Sequence, residues 1–463
     1  MGEEQKITGG IKIVVIISVL MLMTTSLASN YSGYVVLPSY LAKINAMDFF
    51  SVCTASGSMG VMFVLPLAGV LCSKFGVKAV TLFGVGLQIL ARIGLMFTDF
   101  FIVFIVLWTL NGVGSGLFMS TPYAIMSDIV TVEERPKYYG YISAFCAIGA
   151  LAGAPVAGAV LDWGYINIAM ISYAIFAIIP FIGLGLFYPN KKRPSPGKFD
   201  FLGVLFLIIT IAGVVMWLSL GGKFFGFISP LGLLLAAMGI LGAAALVITE
   251  RNCANPSVPI HMFKKPSFRA AFLIQMLIMA YISCAAVYGT VYVQQVMHGS
   301  SLASSTVTMP QTSIQAILSF FVGGYIGKNF RKRFRPAALL ALAGYAIALI
   351  MFSSLQPASS MMIIYVATAF GGISQAIINS TIAPFFQIDL KPEEIESALG
   401  MFQFGLTGGS CIFVAVCGMV LNAGFTLNHV FMLGTAFCAI ALVIGFFCFR
   451  FSKTETAKKP AAV

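Results

Sequence analysis

The chain has 463 residues, of which 59% are hydrophobic and only 9% charged, against roughly 25% charged in soluble domains. That excludes an ordinary soluble fold. The formal charge of +12 invites a nucleic-acid reading, but basic residues flanking apolar stretches are more simply anchors at a lipid surface, so no nucleic-acid partner is expected.

A membrane helix needs about twenty predominantly apolar residues. The first apolar run, from Ile11, continues past signal-peptide length into Tyr31 and Tyr34 without a cleavage site, so it reads as span 1 over 11–38. Further stretches follow at 49–72, 79–97, 101–126, 139–161, 166–188, 201–220, 228–249, 270–295, 303–327, 336–355, 361–384, 397–421 and 427–449. Fourteen spans are expected, with the pair at 201–249 either crossing or lying along the surface. The class is an all-α membrane protein.

An even count places both termini on one side. Of the 27 lysines and arginines, only Lys43, Lys223 and Arg92 fall outside the termini and the loops that share their side. Cytoplasmic loops carry the excess of Lys and Arg. Both termini are therefore expected in the cytoplasm. The basic segment NKKRPSPGK at 190–198 and a second basic loop at 250–269 divide the chain. The expected domains are a six-helix bundle over 1–189, a linker with two additional helices over 190–269, and a second six-helix bundle with a short tail over 270–463.

Between spans 2 and 3 the chain reads GVLCSKFGVK, a turn with Gly69 and Gly76 followed by lysine, Lys74 and Lys78 being its cations. Span 5 reads GALAGAPVAG, which sets Gly149, Gly153, Pro155 and Gly158 at helical spacing. Small residues three or four apart let helices approach closely, and proline bends a helix. ERPKYYG follows span 4, DFLG opens span 7, PIHMFKKPSF precedes span 9 and YVQQVMHGSS leads to Pro310.

In this order and spacing the segments resemble the major facilitator superfamily, and within it the fourteen-helix drug:proton antiporter, multidrug-efflux-like branch. The resemblance implies two pseudo-symmetric bundles rocking around a midplane cavity, a small-molecule substrate, proton coupling, a monomer in the cytoplasmic membrane and no cofactor. It also implies that Asp128, Arg135 and the Lys74/Lys78 pair lie together on the cytoplasmic face, where ion pairs can latch an outward-open state. The chain departs from the pattern at Ser73, Ser29, Trp108 and Asn111, where the family carries residues associated with gating or coupling.

None of the fifteen acidic residues lies near the middle of an expected span. Intramembrane ionisable groups usually mark ion or substrate pathways, and a pump for lipophilic cations would be expected to use one. Arg92, near the outer end of span 3, either holds an anionic group or snorkels to the interface. Uncharged candidates for substrate contact are Tyr31, Tyr34, Trp108, Asn111, Gln275, Tyr288, Gln311, Gln315, Gln375, Asn379 and Gln403, each equally open to a packing role. The nine cysteines contain no CxxC pair and the three histidines lie in loops or at helix ends, so no metal site, cofactor or catalytic constellation is expected. Phosphate-loop signatures are absent as well. Export by proton antiport and uptake of an organic anion, such as a bile acid or other carboxylate, both stay open.

Overall fold

A computed structural model describes residues 9–46, 50–171, 175–190, 201–221, 225–252, 260–298, 303, 306–391, 394–422 and 424–449. The helices are α1 Gly10–Lys43, α2 Phe50–Phe75, α3 Val77–Phe97, α4 Phe101–Met119, α5 Thr121–Ile129, α6 Arg135–Asp162, α7 Ile166–Ile171, α8 Ile178–Phe187, α9 Phe201–Leu220, α10 Pro230–Asn252, α11 Pro266–Ser283, α12 Gly289–Gln295, α13 Met309–Gly327, α14 Phe330–Ser353, α15 Met361–Gln387, α16 Ile395–Asn422 and α17 Leu427–Cys448. Some expected spans consist of two such pieces: α4 with α5, α7 with α8, and α11 with α12.

Among the described residues, eleven helices are long and apolar enough to cross a membrane, or twelve if the bent α2 counts as one span. Two expected stretches fall short by that measure. Within α9 the described apolar stretch is Leu202–Val214, and α13 carries Gln311 and Gln315 near its start. The bend in α2 is 52° between Ser56–Leu65 and Leu67–Phe75. It falls at Pro66, which has no N–H for the helical ladder. Between α11 and α12, Cys284–Tyr288 forms a π turn, a local widening often found at functional positions.

Helix ends gather at two poles. At one, Asn190 donates to the Phe75 carbonyl, Arg135 reaches Gln387, Lys265 pairs with Glu394, and Arg335 donates to the Phe446 carbonyl. This basic pole contains the described loops that the sequence marks as lysine- and arginine-rich. At the other, Lys43 pairs with Asp99, and Asn428 bonds the carbonyls of Ser353 and Leu355.

Within the first set of helices, α1 packs along α6 and α4 packs against both α2 and α3; within the last, α15 packs on α13 and α14, and α11 on α16 and α17. The two sets meet where α6 lies along α13 and α2 along α16. Helices α9 and α10 pack on each other, and α9 also touches α2 and α16. Large apolar side chains such as Phe83, Leu90, Ile102, Ile240 and Phe321 face outward all around, as expected where lipid is the solvent.

Candidate functional site

The side-chain hydrogen bonds seen between the two sets of helices converge on one face of α6. Arg135, Tyr139 and Ser143 recur there every four residues, which places them in a row along the helix. Arg135 Nη1 donates to Gln387 Oε1 at 3.3 Å, while Gln387 Nε2 donates to the Tyr139 hydroxyl at 2.9 Å. Tyr139 in turn donates to the Tyr123 carbonyl at 3.0 Å.

One turn deeper, Ser143 Oγ receives Gln315 Nε2 and Asn379 Nδ2, each at 3.2 Å, and the Ser319 hydroxyl at 3.0 Å. A serine hydroxyl has two acceptor sites and one donor, so these three donors compete for two sites on Ser143 Oγ. The array continues into the last set of helices. Asn379 Oδ1 accepts from Gln375 Nε2 at 2.9 Å, and Gln375 Oε1 accepts from the Tyr345 hydroxyl at 2.6 Å. The Tyr345 ring lies 4.7 Å from that of Tyr281, whose hydroxyl donates to Gln311 Oε1 at 3.2 Å. Four sequence candidates, Gln311, Gln315, Gln375 and Asn379, are thus brought into one uncharged array.

Backbone approach allows this closeness. A Cβ added to Gly140 would strike the Ser319 carbonyl, and one on Gly323 would strike the Pro136 carbonyl. Near the same pole a Cβ on Gly400 would lie 2.5 Å from the Leu65 carbonyl. Gly69 lies against Ser397 of α16, whereas the turn between α2 and α3 is made by Gly76, whose φ of +93° suits glycine. Of the two glycines expected in that turn, only Gly76 forms it.

The other candidates have no described hydrogen bond to the array. Arg92 is 1% exposed and enclosed by the first set of helices. Its Nε donates to Asn111 Oδ1 at 2.9 Å, Nη2 to the Ser29 carbonyl at 2.9 Å and Nη1 to the Met170 carbonyl at 3.2 Å. The guanidinium also sits 5.4 Å from the Trp108 ring centre. A side chain so enclosed does not snorkel. Trp108 stacks on Phe104, and its indole nitrogen would lie 2.7 Å from a Cβ on Gly57. Tyr31 is half-buried on α1, and the side chain of Tyr34 lies outside the described residues.

On α11 and α16, Gln275 and Gln403 are buried, and the carbonyl oxygen of each is unpartnered among the described residues. Tyr288, in the π turn, donates to the Val414 carbonyl at 2.9 Å. Gly149 and Gly153 face the backbone of Thr24 and Ala28 on α1, Pro155 is exposed within α6, and Gly158 meets nothing within 4 Å.

At the basic pole, the described bonds of Arg135 run to Gln387 and to the Ser127 carbonyl, and Asp128 accepts from Tyr188 at 3.0 Å. Lys74 is exposed and Lys78 half-buried. The described link that Arg135 makes between the sets ends on a neutral amide. Glu250 and Glu396 are buried, one in the last turn of α10 and the other in the first of α16. Lys265 Nζ lies 2.6 Å from Glu394, and His261 Nε2 lies 3.8 Å from it. Partial burial raises the Glu394 pKa, but the Lys265 ammonium and the Lys391 N–H outweigh it and hold the carboxyl below its ordinary value. Burial also lowers His261 below the ordinary histidine value, with Glu394 opposing and Lys265 and Lys264 adding.

Among the described residues no three His, Cys, Asp or Glu side chains converge as a metal site would require. The array offers hydrogen-bond donors and acceptors and aromatic faces, a chemistry of binding. Ser143, Ser319, Tyr345 and Gln387 belong to it without having been singled out in the sequence. For Ser143 the signal was available, as the third member of the Arg135–Tyr139–Ser143 repeat.

Compared with known families, residues 16–414 match the Major Facilitator Superfamily. The chain belongs to that superfamily. It is a multi-pass membrane transporter, and its family transports substrates rather than catalysing their conversion.

Among curated relatives, Multidrug transporter protein MdtP of Bacillus subtilis is 21% identical over 390 residues, covering 84% of this chain and 71% of that one. Multidrug resistance protein 3 of the same organism is 24% identical over 442 residues, covering 93% and 84%. Among solved structures, the human organic anion transporter MFSD10 (TETRAN) superposes with a TM-score of 0.66 at 14% identity, over 94% of this chain and 99% of that one. The proton:xylose symporter XylE gives 0.65 at 13% identity, covering 94% of each. At such identities the likeness of structure is one of fold.

Proposed function

We propose that this transporter exports a small amphipathic organic molecule across the cytoplasmic membrane by alternating access, in exchange for protons. The observation that carries the reading is the uncharged array around Ser143, which straddles the two sets of helices. A substrate presenting a polar edge and an apolar body can replace inter-bundle hydrogen bonds one for one, so binding and separation of the bundles become the same event. Both multidrug relatives support export, as does the span 5 motif.

In this reading residues 1–189 and 270–463 are the rocking bundles, and 190–269 is the added pair. The chain crosses fourteen times, α9 and α13 included, with the basic pole and both termini in the cytoplasm. Uptake of an organic anion draws its main positive argument from Arg92. That guanidinium is buried and bonds Ser29, Met170 and Asn111 within the first set of helices, which favours a structural role over a carboxylate-binding one.

The test is flux in proteoliposomes under an imposed pH gradient, with a lipophilic dye and a bile acid as parallel probes. Gradient-driven dye movement that falls at least tenfold in Asn379→Leu and Ser143→Ala, while both variants stay folded, supports the reading. Dye flux indifferent to the gradient sinks the coupling, and flux of the bile acid alone sinks the substrate class.

A further inference from the structure

At the basic pole, α14 and α17 leave a groove of about 660 Å³ on the outer surface. It is lined by Pro336, Leu339, Leu340, Leu442, Val443 and Phe446, among others, so its wall is apolar. Arg335 stands at its mouth. Its Nη2 donates to the Phe446 carbonyl at 3.1 Å, its guanidinium lies 5.4 Å from the Phe446 ring centre, and its Nε is buried without a described partner.

Next to it the segment KNFRKRFR brings Lys328, Arg331, Lys332 and Arg333 into the same eight residues with no acidic residue. Asn329 starts α14 without a side-chain cap, so the positive end of the helix dipole adds to the same field. An apolar channel beside a segment rich in lysine and arginine matches the two parts of an anionic phospholipid.

Charge disfavours the other occupants. The tail at 450–463 carries Arg450, Lys453, Lys458 and Lys459 against Glu455 alone. It would be repelled. A second copy seated symmetrically would face its own cationic segment with another.

We infer that the α14–α17 groove and the Lys328–Arg335 segment form a binding site for one anionic phospholipid of the leaflet at the basic pole. An acyl chain occupies the groove and the phosphate meets Arg335. The site lies on the outer surface of the bundle, away from the Ser143 array, and holds whichever way substrate moves.

The test uses purified full-length protein in detergent and counts retained lipid by native mass spectrometry. Phosphatidylglycerol and phosphatidylcholine with identical chains are the probes. Preferential retention of phosphatidylglycerol is expected, and Arg335→Gln should reduce that preference about fivefold, the worth of one basic residue near an anionic surface. The exposed pair Lys328→Gln/Lys332→Gln should reduce it in the same direction. Ala343→Phe, which fills the groove, should lower retention of both lipids.

Equal retention of the two lipids by the native chain overturns the site, as does undiminished preference in both charge variants. Deleting 450–463 should leave retention unchanged. A several-fold rise on that deletion identifies the tail as the occupant, and a dimer abolished by Ala343→Phe identifies a second copy; either result overturns the lipid.

Discussion

Gly69 of α2 lies directly on the backbone of Ser397 in α16, so that a Cβ at position 69 would sit 2.6 Å from the Ser397 nitrogen and 2.8 Å from its hydroxyl. The basic pole closes here by backbone contact. Overpacking costs about 1–3 kcal/mol, which shifts a two-state equilibrium by roughly ten- to hundredfold. Gly69→Val should therefore favour the state open at this pole. Transport should fall at least tenfold while membrane insertion is kept, and a cysteine placed at Ser143 should react faster with a water-soluble maleimide. Gly86, where an added Cβ would meet only a Phe181 carbon at 3.7 Å, provides the control: Gly86→Ala should leave both measurements unchanged.

The glycines of α6 separate in the same manner. A Cβ on Gly153 would lie 2.6 Å from the Ala28 carbonyl oxygen, while Gly158 meets nothing within 4 Å. The partner of Gly153 is α1, which belongs to the same set of helices. Gly153→Leu should consequently lower the yield of folded protein, with transport per folded molecule less affected. Gly158→Leu should match the native chain in both. Equal behaviour of the two variants in a size-exclusion and flux comparison would remove the packing role of this motif.

Much of the fold is legible from residue order because every apolar run is bounded by charge. Lys74, Arg135, Arg269 and Lys328 mark one pole, and the alternation follows from them. What stays hidden is the rotation of each helix about its axis. In a soluble helix the polar face reports that rotation, but here lipid and protein interior are both apolar and the periodic signal fades. Arg92 illustrates the loss. Its position within α3 is plain, yet its acceptors Ser29 and Met170 come from helices distant in sequence, so neither of the sequence readings anticipates its enclosure. The array is half legible. Glutamines in apolar spans attract notice, whereas Ser143 resembles any small residue that eases helix packing until its neighbours are known.

The basic pole also holds a pH-dependent contact. The folded-state pKa of Glu394 lies below its ordinary value. A carboxyl depressed on folding contributes stability that is fully present above its unfolded pKa, about 4.3, and is lost as pH falls through the folded value. Both partners are partly exposed, so the contribution is of the order of 0.5–1 kcal/mol. Lys265→Met should be less stable than the native chain by that amount at pH 7. The difference should shrink steadily below about pH 4. A destabilisation that persists undiminished in acid would show that Lys265 acts through packing.

Arg92 gives the sharpest division between a structural and a ligand role. Its three described hydrogen bonds join α3 to α1, α4 and α7, and a hydrogen bond to a charged group contributes about 1.5–3 kcal/mol. Removing the guanidinium also takes the described donor away from Asn111 Oδ1 and the Met170 carbonyl in a buried site. Arg92→Gln should therefore be strongly destabilised in detergent, and the apparent affinity of the surviving folded fraction should stay within about twofold. Arg92→Lys should rescue little, because a single ammonium cannot reach three acceptors set around a planar fork. Asn111→Ala combined with Arg92→Gln should cost less than the two changes added, since they remove the same bond. Unchanged stability with affinity weakened tenfold or more would return Arg92 to the substrate site and revive the organic-anion reading.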